Sequence, residues 1–325
     1  MLRKAVGSIL ALLLFTCITM GSVSGASITG GNGIRLSPIR FDLQIDPGKS
    51  KTIQFNVQNI TKDTATYEAV VNNFTANNQN GSPQLLTNNK YDPTGIKQFI
   101  SKIPSITVKP KQTVQVKVDI NIPKGTAGGG YFGAIRFLAV NPSTGKTVNI
   151  SASVAGLILL TVPGPGLHEG LSLKSFNVGQ NGQNSSLFYS NKGINVYASF
   201  NNTGNVQVPP FGKIVVQNMS GDTIETKAIN NTNPPGNVLP ASSRTFNVPL
   251  TGIGSIFGKY KVSGYFGYGN KGTLLSATTT FYVVSPWLIG LAVVIIVLII
   301  VGVFFAPRIF RAWYKRSIKK VKVNN

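Results

Sequence analysis

The stretch Ile39-Arg40-Phe41-Asp42-Leu43-Gln44-Ile45 decides the fold. Ile39, Phe41, Leu43 and Ile45 fall on one face, and Arg40, Asp42 and Gln44 on the other. A period of two describes a half-buried strand. Asp46-Pro47-Gly48-Lys49 follows with Pro and Gly in turn positions. Ile53, Phe55 and Val57 then alternate again with Thr52, Gln54 and Asn56.

The same grammar continues along the chain. A third strand is predicted near Tyr67–Phe74, and residues 75–98, rich in Asn, Gly and Pro, read as a long loop. Ile106-Thr107-Val108 leads through Lys109-Pro110-Lys111 into Val114, Val116, Val118 and Ile120. Pro123-Lys124-Gly125 turns the chain into a strand over Gly128–Val140. A last strand, Val148 to Val162, carries Leu157-Ile158-Leu159-Leu160, apolar on both faces and therefore central. Pro163-Gly164-Pro165-Gly166 continues neither a helix nor a ladder and marks a boundary.

The second half repeats the plan. Phe200-Asn201-Asn202-Thr203-Gly204-Asn205 takes the place of Val57-Gln58-Asn59-Ile60-Thr61-Lys62. Leu239-Pro240-Ala241-Ser242 echoes the Lys109-Pro110 corner, and Gly264-Tyr265-Phe266-Gly267 echoes Gly130-Tyr131-Phe132-Gly133. Ser220-Gly221-Asp222 is a hairpin turn, and a final strand runs over Thr278–Val284. Short strands with turn punctuation and no amphipathic helix predict an all-β protein of two tandem immunoglobulin-like β-sandwich domains. They lack the cysteine pair and core tryptophan of antibody domains.

One transmembrane α-helix follows them. Trp287 to Ala306 reads WLIGLAVVIIVLIIVGVFFA, with no charge. A bilayer core of about 30 Å needs about 20 such residues. Arg308, Arg311, Lys315, Arg316, Lys319, Lys320 and Lys322 flank it downstream without an acid, while the nearest upstream charge is Lys271. Positive flanks stay in the cytoplasm. The anchor is thus bounded by Trp287, Ala306, Arg308, Arg311, Lys315 and Arg316, and everything upstream lies outside the plasma membrane. Ile309, Phe310, Trp313, Tyr314 and Ile318 would let the tail lie on an anionic leaflet, although a plain stop-transfer anchor explains it as well. Gly302 and Ala306 form a small-xxx-small pair.

At the other end, Arg3 and Lys4 precede the apolar run Ala5 to Ile18, and Ser24-Gly25-Ala26 offers small residues to a signal peptidase. The expected cut after Ala26 removes Cys17, the one cysteine; a lipoprotein signal using Cys17 is the competing reading. The organisation expected is a signal peptide (1–26), flexible leader (27–33), first sandwich (34–162), linker (163–170), second sandwich (171–284), span (287–306) and basic tail (307–325). An exported chain without disulfides relies on its apolar core.

Of the 31 Lys and Arg, two precede the cut and seven lie in the tail, which leaves 22 against all nine acids, a net of about +13 outside. Such a surface attracts polyanions; outside a bacterium these are wall polymers or lipid head groups, not nucleic acid. The same excess would also serve solubility. Catalysis has little to work with: His168 is the one histidine, and no His/Asp/Glu cluster has metal spacing. No cofactor or metal is expected. Gly128-Gly129-Gly130-Tyr131-Phe132-Gly133 spells G-x-G-x-x-G, but a strand rather than a helix follows, so the glycines serve a bend or a close backbone approach. Asn59-Ile60-Thr61, Asn73-Phe74-Thr75, Asn149-Ile150-Ser151 and Asn201-Asn202-Thr203 are sequons, expected in so Asn-rich a chain and read as unmodified.

These stretches resemble one family. Ile39-Arg40-Phe41-Asp42-Leu43 with Pro47-Gly48-Lys49, Val57-Gln58-Asn59-Ile60-Thr61, Ile106-Thr107-Val108-Lys109-Pro110-Lys111-Gln112-Thr113-Val114, and Pro123 followed by Gly129-Gly130-Tyr131-Phe132-Gly133-Ala134-Ile135-Arg136-Phe137 look like the amino-terminal domain of the WxL-interacting proteins of Gram-positive surfaces. The layout of signal, two sandwiches, span and basic tail is similar too. The resemblance is close over 34–162 and loose over 167–284. It implies a non-enzymatic role: peptidoglycan or anionic wall polymer for the first domain, and a WxL-type surface protein or host matrix protein for the second. It maps no individual ligand-binding residue. Two other functions stay open at this point, an accessory subunit of an envelope or export complex and a wall hydrolase.

Overall fold

The structure is a computed structural model that describes residues 28–30, 33–77, 80–86, 92–140, 153–269 and 272–323. The signal peptide with Cys17, the Asn149 sequon and Lys271 lie outside the described residues.

Among the described residues ten strands build the first sandwich: β1 (Ile28–Gly30), β2 (Ile34–Ser37), β3 (Arg40–Gln44), β4 (Ser50–Asn59), β5 (Ala65–Ala76), β6 (Pro83–Leu86), β7 (Ile106–Val108), β8 (Thr113–Asn121), β9 (Gly129–Val140) and β10 (Ser153–Val162). One sheet has the order β1-β2-β4-β8; the other runs β3-β10-β9-β5-β6, with β7 also pairing β5. Among the described residues nine build the second: β11 (Leu171–Gln180), β12 (Gln183–Asn184), β13 (Leu187–Phe188), β14 (Ile194–Asn202), β15 (Phe211–Gln217), β16 (Thr223–Ala228), β17 (Ser243–Pro249), β18 (Phe257–Tyr268) and β19 (Thr273–Val284). Its sheets are β12-β11-β14-β17 and β13-β19-β18-β15-β16. The order β2-β4-β8 matches β11-β14-β17, and β3-β10-β9-β5-β6 matches β13-β19-β18-β15-β16, down to a parallel edge pair in each, β3 on β10 and β13 on β19; β7 has no counterpart, and β1 precedes its partner where β12 follows its own. The internal repeat is therefore structural.

Alternation does what a period of two requires. Ile53, Phe55 and Val57 of β4 stand beside Val118, Val116 and Val114 of the neighbouring β8, and this face of the sheet packs into the first core. Phe55 sits edge-on to Phe41 at 5.0 Å and to Phe137 at 5.9 Å. In the second core Phe200 and Phe266 meet edge-on at 5.1 Å, and Phe246 and Phe281 join the same cluster. Each fully buried aromatic of this kind contributes about 1.5–3 kcal/mol by removal from water.

Two expectations need correcting. Residues 28–30, read as part of a flexible leader, pair antiparallel with Ile34–Leu36 across a turn in which Gly33 has a φ of +93°. The chain then changes sheets between β2 and β3 through a cis Ser37–Pro38 bond, a switch that no alternation pattern reveals. Residues 75–98 are not one loop. β5 runs to Ala76, β6 pairs back onto it, and a single 3-10 turn, Ile96–Phe99, buries both of its end residues. Ile96 fits because Gly133 opposite has no side chain: a Cβ there would lie 2.1 Å from Ile96 Cγ2. That is the close approach expected of the glycine run.

The helix α1 (Pro286–Val323) starts directly after β19. Ser285 accepts from the Leu288 and Ile289 amides, and Pro286 takes the first helical position, where its missing N–H is not needed. Residues Pro286–Pro307 have a mean hydropathy of 3.4 and are long and apolar enough to cross a membrane.

Candidate binding cleft between the sandwiches

Strand β10 is apolar on both sides because it has two interiors. Ile158 and Leu160 enter the first core. Leu159 points the other way, into a separate apolar cluster with Phe74, Ala76, Phe132, Ala134 and Leu239, the last contributed by the second sandwich. The outer face of the six-stranded sheet is thus the floor of a junction between the two sandwiches. On β3 the residues that alternation assigned to solvent, Arg40 and Asp42, stand on this face opposite Leu157 and Leu159.

Polar contacts close the junction. Arg40 Nη1 donates to the Pro235 carbonyl at 3.0 Å, and Arg40 Nη2 to Asp42 Oδ1 at 2.8 Å. Asn237 Nδ2 reaches the same Asp42 oxygen at 3.3 Å. Nearer the linker, Asn205 Nδ2 donates to the carbonyls of Gly128 (3.1 Å) and Gly166 (2.8 Å), and its Oδ1 accepts from the His168 amide (2.8 Å). Gly130 N donates to the Asn205 carbonyl at 2.7 Å, and Gln207 Nε2 to Thr161 Oγ1 at 2.9 Å. The glycine run at the head of β9 therefore also lets the second sandwich come close: a Cβ on Gly130 would lie 3.0 Å from Gln207 Oε1.

Beside the Arg40 and Asn237 contacts lies a cavity of about 260 Å³. Phe74, Leu157, Leu159 and Leu239 give it an apolar floor; Arg40 and Arg244 line it with charge. Arg244 is held flat between two glycines. A Cβ on Gly81 would meet its Cδ at 2.5 Å, and one on Gly236 its Cζ at 2.8 Å. Its Nη1 donates to the Asn237 carbonyl at 3.0 Å, and its Cζ lies 5.2 Å from the Phe246 ring centroid. Burial holds the Arg244 guanidinium below its ordinary value, and repulsion from Arg40 adds to this. Arg40 Nε is buried without a hydrogen-bond partner.

The expected anchor residues lie on α1. Trp287, Ala306 and Arg311 are exposed on it; Arg308, Lys315 and Arg316 belong to the same helix. Around its root the second sandwich presents exposed apolar groups: Leu187, Tyr189, Ile256, Phe257 and Tyr282. They are close to the helix start because Ser285 N donates to the Ile256 carbonyl at 2.7 Å, Phe257 pairs with Val284, and Leu187 pairs with Tyr282. Lys259 Nζ lies 5.9 Å from the Tyr282 ring centroid.

Sequence reasoning foresaw the apolar helix and did not find the cleft. Arg40 sat on a face read as solvent, and Arg244 lay inside a strand with no motif. The available signal was Leu157-Ile158-Leu159-Leu160, since a strand apolar on both faces needs a cover on each. Among the described residues no group of three or more His, Cys, Asp or Glu could hold a metal ion.

Comparison with known proteins gives one family. Residues 32–139 match the family model described as WxL Interacting Protein, peptidoglycan binding domain. No curated protein matches the chain. Similar solved structures include the chaperone–tip adhesin complex of CFA/I fimbriae, at 15% identity over 75% of this chain and 97% of that one with a TM-score of 0.37. The CsuC–CsuE pre-assembly complex of Acinetobacter baumannii is similar at 15% identity over 75% and 97%, TM-score 0.35. The E. coli chaperone DraB is similar at 13% over 77% and 96%, TM-score 0.32. By this match residues 32–139 form a domain of the WxL-interacting protein family.

Proposed function

We propose that the protein tethers the bacterial cell wall to the membrane: the first sandwich binds peptidoglycan, and α1 anchors the chain in a single pass. The observation that carries this is the match of residues 32–139 to a peptidoglycan binding domain. The apolar helix Pro286–Pro307 supports the anchor. The basic run from Arg308 to Lys322 favours a cytoplasmic tail and an external amino-terminal part. The exposed Ile256, Phe257, Tyr282 and Trp287 then rest at the outer membrane–water interface, where aromatic side chains gather. The role is binding and not turnover.

Charge strengthens wall contact. The net of about +13 outside the membrane draws the anionic wall to the protein, and this part of the affinity weakens with salt. The second sandwich takes the partner role, for a WxL-type surface protein. Its five-stranded sheet ends in β16, and an edge strand accepts an added strand.

The test is co-sedimentation of the full chain in detergent with isolated peptidoglycan, stripped or not of anionic polymer, across a salt series. Retention by stripped wall supports peptidoglycan recognition. Retention lost on stripping, or by moderate salt, leaves only attraction by charge. No retention on either wall overturns the reading.

A further inference from the structure

The cleft between the sandwiches has an unbalanced charge. Arg40 and Arg244 both line the cavity, and Asp42, bonded to Arg40, is the acid beside them. Among the described residues no carboxylate lies within salt-bridge distance of Arg244, whose contacts are a carbonyl and the Phe246 ring. Two guanidiniums against one carboxylate leave one positive charge in a partly dry cavity. Arg244 is half-buried, so its charge is partly desolvated without a counter-ion, and a monoanion entering the cleft relieves this. The arginine planes are fixed in advance, by Gly81 and Gly236 on either side of Arg244 and by Pro235 O and Asp42 at Arg40. Fixed guanidinium forks suit a planar carboxylate.

The rest of the cavity selects what carries that carboxylate. Leu157, Leu159, Phe74 and Leu239 form an apolar floor beside the charges, which suits an alkyl side chain next to the anion and not a polyol phosphate. A volume of about 260 Å³ lies below the ~300–1,000 Å³ of sites that enclose a drug-sized ligand, so the cleft fits the end of a chain and not a whole disaccharide. We infer that the interdomain cleft is a subsite for the free carboxyl end of a short peptide, held between Arg40 and Arg244 with a small alkyl side chain on Leu157, Leu159 and Leu239. This rests on the wall-binding reading and names the chemistry within it: peptidoglycan stem peptides end in an alanine carboxylate, a methyl group beside a monoanion. Because the floor comes from the first sandwich and Arg244 from the second, occupancy would also lock the two together.

The experiment uses the full chain in detergent and two soluble probes, the stem pentapeptide Ala-Glu-Lys-Ala-Ala with natural stereochemistry and the same peptide as its C-terminal carboxamide. The free acid is expected to bind at least ten-fold more tightly than the amide. Arg244→Gln should remove that preference, and Arg244→Lys should keep part of it. Asp42→Asn, which takes the competing acid out of the cleft, should widen it. Equal binding of acid and amide by the unaltered chain overturns the inference, whatever the variants do. So does an undiminished preference in Arg244→Gln. Whole peptidoglycan run in parallel separates the two claims: wall retention without an acid preference sinks the subsite alone. An acid preference without wall retention sinks the wall reading and leaves a carboxylate subsite for another peptide.

Discussion

Asn59 and Asn202 are the same residue used twice. Each ends the second inner strand of its sandwich, and each is buried. Asn59 Nδ2 donates to the carbonyls of Asp63 (2.7 Å) and Val108 (2.9 Å); Asn202 Nδ2 donates to those of Val206 and Val238, both at 2.7 Å. Each Oδ1 accepts a backbone amide two residues on, from Thr61 and Gly204. Each backbone N–H reaches across to the strand corner, Asn59 to the Gln112 carbonyl and Asn202 to that of Ser242. The residues before those acceptors, Lys111 and Ala241, both hold left-handed φ angles, 61° and 53°. One side chain thus ties a turn to the corner of the opposing strand in both sandwiches.

Removing it leaves buried carbonyls and amides unpaired, each worth about 1–3 kcal/mol. Asn59→Ala should therefore destabilise the first sandwich by about 2–4 kcal/mol, less than the simple sum because the Asp63 and Thr61 partners are only part-buried and can turn to water. Asn202→Ala should do the same to the second. Thermal unfolding followed by circular dichroism should show a fall of several degrees in each case. Asn59→Asp, which aims a buried oxygen at the Asp63 and Val108 carbonyls, should cost at least as much. A change below one degree would show that the tie does not hold the corner. Burial of Asn59 also keeps its sequon from modification in the folded chain.

Glu225 gives the second sandwich an acid sensitivity. Burial pushes its carboxyl up, but hydrogen bonds from Thr251 Oγ1, the Gly252 and Thr251 amides and Lys227 together hold it below its ordinary 4.5. A lowered folded-state value stabilises the native state at pH above the unfolded value, and that stability is lost as pH falls through the lowered one. Glu225→Gln should unfold at lower temperature than the parent at pH 7. The gap should close below pH 4.5 as the parent's carboxylate is protonated. A gap independent of pH would assign the effect to packing.

Asn205 clamps the junction. Asn205→Ala removes its bonds to Gly128, Gly166 and His168 while leaving both cores intact. We expect cleavage within residues 163–168 by a nonspecific protease to rise several-fold, with each sandwich still resistant. Unchanged cleavage would mean that the apolar contacts of Leu239 hold the junction unaided.

Gly133 is the position where space and not conformation demands glycine. Gly133→Ala should force Ile96 from its seat and destabilise the first sandwich by about 1–3 kcal/mol. Pairing it with Ile96→Ala should restore part of the loss, which a double-mutant comparison of thermal stability measures.

Much of this fold was legible in the chain. Alternation at Ile39–Ile45 and Ile53–Val57 fixed strands and their inward faces, and the echo of Val57–Lys62 in Phe200–Asn205 announced the repeat that Asn59 and Asn202 now explain. The run Leu157–Leu160 signalled a strand with two covers but not what covered it. The cleft stayed hidden because its partners are far apart in sequence: Arg40 and Pro235 are separated by 195 residues. A polar strand face looks the same whether it meets water or another domain. Ile34–Ser37 and Ile96–Phe99 were missed for a local reason. One is a short strand before a sheet switch, the other a single turn seated against a glycine, and neither is long enough to show a period.

The most direct test of tethering is whether the protein holds a membrane to a wall. Liposomes carrying the full chain, with a fluorescent lipid, are mixed with isolated peptidoglycan sacculi and spun at a speed that pellets sacculi alone. The account predicts that lipid pellets with the wall only when the protein is present, and that soluble stem peptide competes it off. Lipid that stays in the supernatant, with the protein shown to be inserted and folded, would contradict it.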